Sequence, residues 1–362
     1  MQQVHMKQIN KSYCCVGLMS GTSLDGLDLV LCQLTRKDGL WTYQLHNTNT
    51  VAYSEAWQKR LTSAASLSGY ELMALHRHYG DYLGQQVNSF LKGSAFKPDV
   101  LASHGHTVFH QPAKKVSLQI GDGAMIAAQT GIPTVSDFRT LDITLGGQGA
   151  PLVPIGDQLL FPRYQACVNL GGFANLSCDQ ATKRVAWDIS PVNFVVNRLV
   201  QPLGKAFDEN GSIGQSGRVI GALLERLNKL PYYQQPAPKS LGEEWVNTQF
   251  CPILDDYRGW GPEDLIRTCY EHFAMQITSN LNEIGAGEFL FTGGGVYNRF
   301  LMQQIADRLK GKVIMPDTQL IDFKEALVFA LLGVLRMEHE INCLASVTGA
   351  RCDSSSGVIH WV

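Results

Sequence analysis

The stretch GLMSGTSLDGLD, residues 17–28, decides how the first half of the chain is read. It lies between two apolar runs, Tyr13–Met19 and Leu27–Leu34, which predict strands, so the polar residues between them form a strand-to-strand loop. Ser20, Gly21, Thr22, Ser23, Leu24, Asp25, Gly26, Leu27 and Asp28 supply it with glycines, hydroxyls and carboxylates. Glycine lets backbone approach an anion closely, and successive N–H groups with hydroxyls hold phosphate oxygens. Asp25 or Asp28 is suited to hold Mg²⁺ directly or through water. There is no Walker loop, since G-K-[ST] is missing and a strand, not a helix, follows. A hairpin with a polar turn explains the same residues, so this loop alone leaves both readings open.

Working outward, Leu40–Tyr53 completes a three-strand meander. Helices are expected over Glu55–Ser66 and over the segment carrying Leu72, Leu75, Tyr79, Leu83, Val87 and Leu91 at three- and four-residue spacing. Val100–Ser103 reads as a buried strand ending at His104, Gly105, His106 and Thr107, and Ala124–Thr130 as a helix stopped by Gly131 before a strand at Pro133–Ser136. The plan then restarts. Ala166–Leu170, Leu176–Cys178 and Arg184–Ile189 are strands around a glycine turn at Gly171–Asn175. Helices follow over Pro191–Leu199 and Pro262–Ile284, then a strand at Phe289–Thr292, a helix capped by Asn298, and a last helix over Lys324–Met337. Two meanders, each followed by helices, give a duplicated α/β plan. Residues 1–135 with 337–362 are expected to form one domain and 136–336 the other.

Two further glycine turns follow strands: NLGGFAN with Gly171 and Gly172, and TGGG with Gly293, Gly294 and Gly295. Each alone is a tight turn. Together with the first loop they point to a nucleotide, because ligands of open α/β sheets sit beyond the carboxyl ends of strands. The segment SDFRTLDITLGGQGAPL, residues 136–152, is polar and glycine-rich and reads as an active-site loop. Its Asp137 and Arg139 form either a structural ion pair or an anion clamp. Asp188 ends a strand, where it serves as a proton acceptor or as a helix N-cap. His104, His106 and His110 lack the carboxylate or cysteine pattern of a metal site and are expected to bond a sugar or backbone. Asp208, Glu209 and the run Pro238–Glu244 line a cleft or lie on the surface.

The chain has 362 residues, 17% of them charged, with a net charge of -2. That is enough for about two domains. It argues against a sequence-independent grip on nucleic acid or an anionic membrane. Nine scattered cysteines with no C-x-x-C pair fit reduced thiols and no zinc site. No signal peptide is seen, and no apolar run approaches the ~20 residues of a membrane span. A cytoplasmic protein with small-molecule partners is expected, with a homodimer left open.

In order along the chain, GLMSGTSLDG, SHGHT, QIGDG, SDFR..D....GGQGAPLVP, NLGGFAN, the strand-end Asp188, PKS.G.E, TGGG.YN and EA..FA..G resemble the anhydro-N-acetylmuramic acid kinases, from about Gly17 to Arg351. The resemblance implies duplicated actin-like ATPase (ribonuclease H-like) domains with a central nucleotide and sugar cleft. It further implies hydrolytic opening of the 1,6-anhydro sugar and phosphorylation of O6 from MgATP. Asp188 falls on the family's catalytic base, Gly21–Asp28 on the phosphate loop and Gly293–Gly295 near the adenosine. Thr107, Arg139 and Glu325 fall on sugar- or phosphate-facing positions. No residue is assigned as a protein metal ligand of its own. Two departures touch the site: His106 stands where the family has Gln, and Ser190 and Val192 replace small residues after Asp188. The latter pair is expected to narrow the sugar site or change the backbone there, which leaves another sugar as the acceptor, or an actin-like nucleotide-binding protein without one, as alternatives.

Overall fold

The computed structural model describes residues 11–21 and 24–362. Thr22 and Ser23, expected on the phosphate loop, lie outside them. In chain order, a meander of β1 (Lys11–Ser20), β2 (Gly26–Lys37) and β3 (Leu40–Ala52) leads to α1 (Glu55–Thr62) and α2 (Gly69–Leu91). Next come β4 (Val100–Ser103), a hairpin of β5 (His106–Gln111) and β6 (Val116–Ile120), α3 (Gly123–Thr130), β7 (Thr134–Ser136), α4 (Thr140–Thr144) and α5 (Val153–Leu160). A second meander joins β8 (Ala166–Leu170), β9 (Phe173–Gln180) and β10 (Lys183–Pro191). It is followed by α6 (Asn193–Val200), short helices α7 (Ser212–Ser216), α8 (Gly221–Asn228), α9 (Glu243–Trp245) and α10 (Cys251–Asp255), then α11 (Pro262–Ile284), β11 (Glu288–Thr292), α12 (Arg299–Ala306) and β12 (Lys312–Ile314). The chain closes with α13 (Thr318–Met337), α14 (Ala345–Thr348) and β13 (Val358–His360).

Two compact units result, Met1–Leu160 with Phe323–Val362 and Phe161–Asp322. Their breaks fall later than the expected boundary at residue 136 and earlier than the one at 337. The reason lies in packing that neighbouring residues do not reveal. Buried Lys324 pairs with buried Asp157 at 2.8 Å, tying the end of one segment to the start of the other within the first unit.

Each unit builds its sheet alike. In the first the order is β13-β7-β4-β1-β2-β3, with β1 antiparallel to β2 and parallel to β4. In the second it is β10-β9-β8-β11-β12, with β8 antiparallel to β9 and parallel to β11. A meander followed by parallel strands on its first member's free side is the ribonuclease H-like plan, present twice. In the first unit β1 is buried from Cys14 to Leu18, because helices cover both faces of such a strand. Gly17 is obligatory there, since a Cβ would stand 1.9 Å from the Ala326 carbonyl oxygen of α13. The second unit's core gathers Val168, Leu170 and Phe291 of the sheet against Phe273, Ile277 and Leu281 of α11.

Local readings needed adjustment at three places. The turn expected over Gly171–Asn175 is only Gly171 and Gly172; Phe173 to Asn175 pair with β10. The last helix starts at Thr318, not Lys324. The polar segment 136–152 is partly helical, and Asp137 forms no ion pair with Arg139 but accepts from the Thr140 N–H at 3.3 Å.

Candidate active site

In the first unit, the strand-to-strand loop runs from Ser20 to Gly26. Ser20 is buried, and its hydroxyl takes the Tyr53 O–H at 2.8 Å and meets His106 Nδ1 at 3.3 Å, so its side chain serves the protein. Leu27 also points into the core. These two contribute backbone only. Leu24 adopts a left-handed φ of 60°, its N–H reaching the Gly21 carbonyl at 3.4 Å. Asp25 is exposed, and Asp28 is half-buried with Oδ1 accepting from Thr50 at 2.6 Å.

Arg139 follows β7. Its Nε and Nη2 donate to His104 Nε2 at 3.2 and 2.8 Å, and Nη1 donates to the Gly149 carbonyl at 2.6 Å. Among the described residues no carboxylate stands at ion-pair distance from it. Desolvation pushes its pKa down to about 10, with Glu325 pulling the other way. Glu325 sits on α13, where neighbours crowd its carboxyl and desolvation pushes its pKa up, yet water still reaches the side chain. Lys324 and Arg139 oppose that shift, while Asp28 and Asp157 add to it. Asp28, Arg139 and Glu325 therefore share one electrostatic neighbourhood. Thr107 belongs to a hydrogen-bonded row on the β5–β6 hairpin, accepting from Gln119 at 3.3 Å; Gln119 donates to Ser117, which meets His110 Nδ1 at 3.2 Å. Arg139 depresses the His110 pKa, though less than desolvation does. The three histidines thus bond protein groups: Arg139 and the Gly105 carbonyl for His104, Ser20 for His106, Ser117 for His110.

In the second unit, Gly293 and Gly295 lie against Leu170 at the end of β8, so the TGGG and NLGG turns adjoin. Gly171, Gly172 and Gly294 all have space where a side chain would go and an ordinary φ. The fold does not require glycine at these three positions. The Gly172 carbonyl accepts from Val192 N–H at 2.8 Å and Phe194 N–H at 3.2 Å, fixing the turn that follows Asp188.

Asp188 is no helix cap. A bulge follows it in β10, and the 232–241 segment grips it on three sides. Its N–H donates to the Lys239 carbonyl at 3.0 Å, its carbonyl accepts the Tyr232 hydroxyl at 2.6 Å, and its Oδ2 accepts Leu241 N–H at 2.8 Å. Among the described residues none bonds Oδ1. Desolvation raises the carboxyl pKa to about 6, against the lowering pull of Leu241. Such a group is a carboxylate near neutrality and still basic enough to take a proton. Ser190 and Val192 are wholly buried, the former bonding the Pro191 carbonyl at 3.1 Å. Val192 belongs to the second unit's apolar core, and the Ser190 hydroxyl also meets the Tyr233 hydroxyl at 3.4 Å.

Sequence reading left Lys239 and Leu241 between cleft and surface, and the PKS.G.E motif was the only signal for them. Asp142 was present in the polar segment and in the SDFR..D motif without a role of its own, and Tyr232 was missed altogether. Asp208 proves structural, its buried carboxylate accepting from Ile213 and Gly214 N–H groups and the Tyr270 hydroxyl.

The family model described as anhydro-N-acetylmuramic acid kinase matches residues 13–362. A protein of that name from Francisella tularensis subsp. novicida is 35% identical, with 96% of this chain and 98% of the relative covered. One from Vibrio cholerae is 34% identical with the same coverage. Among solved structures, the (R)-2-hydroxyglutaryl-CoA dehydratase component A of Acidaminococcus fermentans aligns at a TM-score of 0.44 and 11% identity, over 89% of this chain and 97% of that one. By its whole-length match, the chain belongs to the anhydro-N-acetylmuramic acid kinase family.

Proposed function

We propose that this kinase of peptidoglycan recycling works through Asp188, Arg139 and the glycine turns. Asp188 takes a proton from water as the water oxygen attacks C1 of the 1,6-anhydro sugar. The C1–O6 bond breaks, and O6 takes the γ-phosphoryl group of ATP, releasing ADP and leaving N-acetylmuramic acid 6-phosphate. The observation that carries this reading is the Asp188 carboxyl, with one oxygen anchored by Leu241 and its pKa pushed to about 6. Arg139 holds an anionic oxygen of the sugar or of the transferring group, with Thr107 and Glu325 as further contacts.

The backbone from Gly21 to Gly26 receives phosphates. Gly171, Gly172, Gly293, Gly294 and Gly295 admit the nucleotide, a role favoured by the three among them for which the fold offers no other reason. Among the described residues, no three His, Cys, Asp or Glu side chains cluster to bind a metal unaided. Mg²⁺ fits as an ion carried by the phosphates and met by one or two carboxylates, of which Asp28 is the best placed. Bound there, it would neutralise charge on the transferring group. A cytoplasmic setting is supported by eight buried free thiols; among the described residues, no helix is long and apolar enough to cross a membrane.

The test is ADP release by the purified protein over a panel of amino sugars. Turnover of the 1,6-anhydro sugar is expected. Turnover of other amino sugars without it would overturn the assignment, and ATP hydrolysis indifferent to every sugar would favour a regulator.

A further inference from the structure

The mounting of Arg139 is unusual in its chemistry. A guanidinium with little access to water normally pairs with a carboxylate, because leaving a charge in low dielectric without an opposite charge is costly. Here the acceptors are an imidazole nitrogen and a peptide carbonyl, both neutral. The tautomer of His104 follows from its partners. Nδ1 faces the Gly105 carbonyl at 2.9 Å and must carry the proton, so Nε2 is the lone-pair acceptor that Arg139 meets. Desolvation and the neighbouring guanidinium both keep this ring neutral.

The second acceptor is fixed from behind. Asp142 is buried, and its Oδ2 accepts Gly149 N–H at 2.7 Å, so the peptide whose carbonyl takes Arg139 belongs to a residue tied to Asp142. Its Oδ1 is occupied by the Thr348 hydroxyl at 2.7 Å and the Cys343 thiol at 3.2 Å, contacts from the far end of the chain. A Cβ on Gly147 would stand 2.2 Å from Oδ2, so the loop must be glycine to wrap this carboxylate. Asp142 spends one oxygen on the loop and the other on the chain's far end, so it and Glu325 act on the guanidinium only at longer range and neither forms an ion pair with it. Five N–H groups less the three in use leave Arg139 two donors.

We propose that His104 and Asp142 are positioning residues: they hold Arg139 with neutral acceptors so that its charge and two remaining donors serve an anionic oxygen of the substrates. This rests on Arg139 facing that oxygen, as proposed above. The oxygen belongs either to the sugar's carboxylate or to the phosphoryl group in transfer. Loss of the first appears in KM for the sugar, loss of the second in kcat.

The experiment compares Arg139→Gln, His104→Gln, His104→Glu and Asp142→Ala in full-length protein, by steady-state kinetics with the anhydro sugar. Melting temperature and ATP affinity serve as checks on folding. Arg139→Gln is expected to lower kcat/KM about 100-fold or more, as a misplaced or missing clamp does. His104→Gln keeps a neutral acceptor and should stay within about tenfold of the parent. His104→Glu grips Arg139 more tightly but neutralises it, and should fall to the level of Arg139→Gln. Asp142→Ala should lose about 100-fold with ATP affinity kept. If Arg139→Gln is harmless, the role given to Arg139 fails. If it is severe while folded His104→Glu matches His104→Gln, or folded Asp142→Ala matches the parent, Arg139 stands and the positioning proposal falls.

Discussion

Arg139 in the first unit and Asp188 in the second are treated in opposite ways by the same physical effect. Desolvation pulls the pKa of each toward neutrality, to about 10 and about 6. For the guanidinium the consequence is nil at working pH, because it stays protonated and acts as a fixed charge. For the carboxyl the consequence is large, since its proton comes and goes in the range where enzymes operate. Their supports differ accordingly. Arg139 has three donors engaged on neutral acceptors, whereas the Asp188 carboxylate is anchored through one oxygen. One side chain is built to stay charged and still, the other to change protonation.

Replacing Asp188 with Asn should break this contrast most sharply. The amide oxygen still accepts Leu241 N–H, but no proton can be taken, and a loss of about 10³-fold in kcat is expected from steady-state assays with ATP binding retained. The same variant should be more stable than the parent at pH 7.5. The folded state binds a proton at this carboxyl more tightly than the unfolded chain, whose value is near the ordinary 3.8. Ionised Asp188 therefore destabilises the fold above about pH 6, and the penalty disappears below about pH 4. Denaturant melts should show a gain on the order of 2 kcal/mol at pH 7.5, shrinking toward nothing at the acid end. An inactive variant that is less stable at pH 7.5 would mean Asp188 is structural.

The wild type sharpens the contrast further. As pH falls through about 6 the base is protonated, so kcat/KM should drop nearly tenfold per pH unit below it. Arg139 contributes no limb in that range. A profile flat from pH 7 to pH 5 would remove Asp188 from the role of base.

How far the residues alone disclose this depends on the range of the contact. The meander strands were legible because β1 and β2 are apolar over consecutive residues and the loop between them is not. Asp188 was legible only as a strand end. Its grip by Lys239 and Leu241 joins residues some fifty apart, and nothing local announces it. Arg139 was read against Asp137, its nearest acid, but the left-handed backbone of Asp137 turns that carboxylate to the Thr140 N–H. The true partners, His104 and Gly149, arrive through β4 and through the loop wrapped on Asp142. The short helices between α6 and α11 carry too little periodicity to be read, and they were not.

Val192 tests whether the surroundings of Asp188 matter through packing or through the sugar. Its side chain is fully buried in the second unit's core. Val192→Ala removes two methyl groups and leaves a small void, which should cost about 2 kcal/mol in denaturant melts. The side chain packs among core residues, so KM for the anhydro sugar should move less than about threefold. A large KM change at unaltered stability would return this residue to the sugar site.

His106 should give the smallest effect, and the reason is a count of hydrogen bonds. It is buried against Tyr79, and its Nδ1 meets Ser20, whose hydroxyl also takes the Tyr53 O–H while Tyr79 lies 2.5 Å from Tyr53. The Ser20 proton is thus free to point at an acceptor, and a neutral imidazole nitrogen provides one. Glutamine's amide oxygen provides one equally well, at similar length and with no charge. His106→Gln should therefore leave KM for both substrates within about twofold and stability within about 0.5 kcal/mol, measured by steady-state kinetics and thermal melts. A tenfold rise in activity toward the anhydro sugar would instead show that His106 reaches the substrate and tunes this chain for a different one.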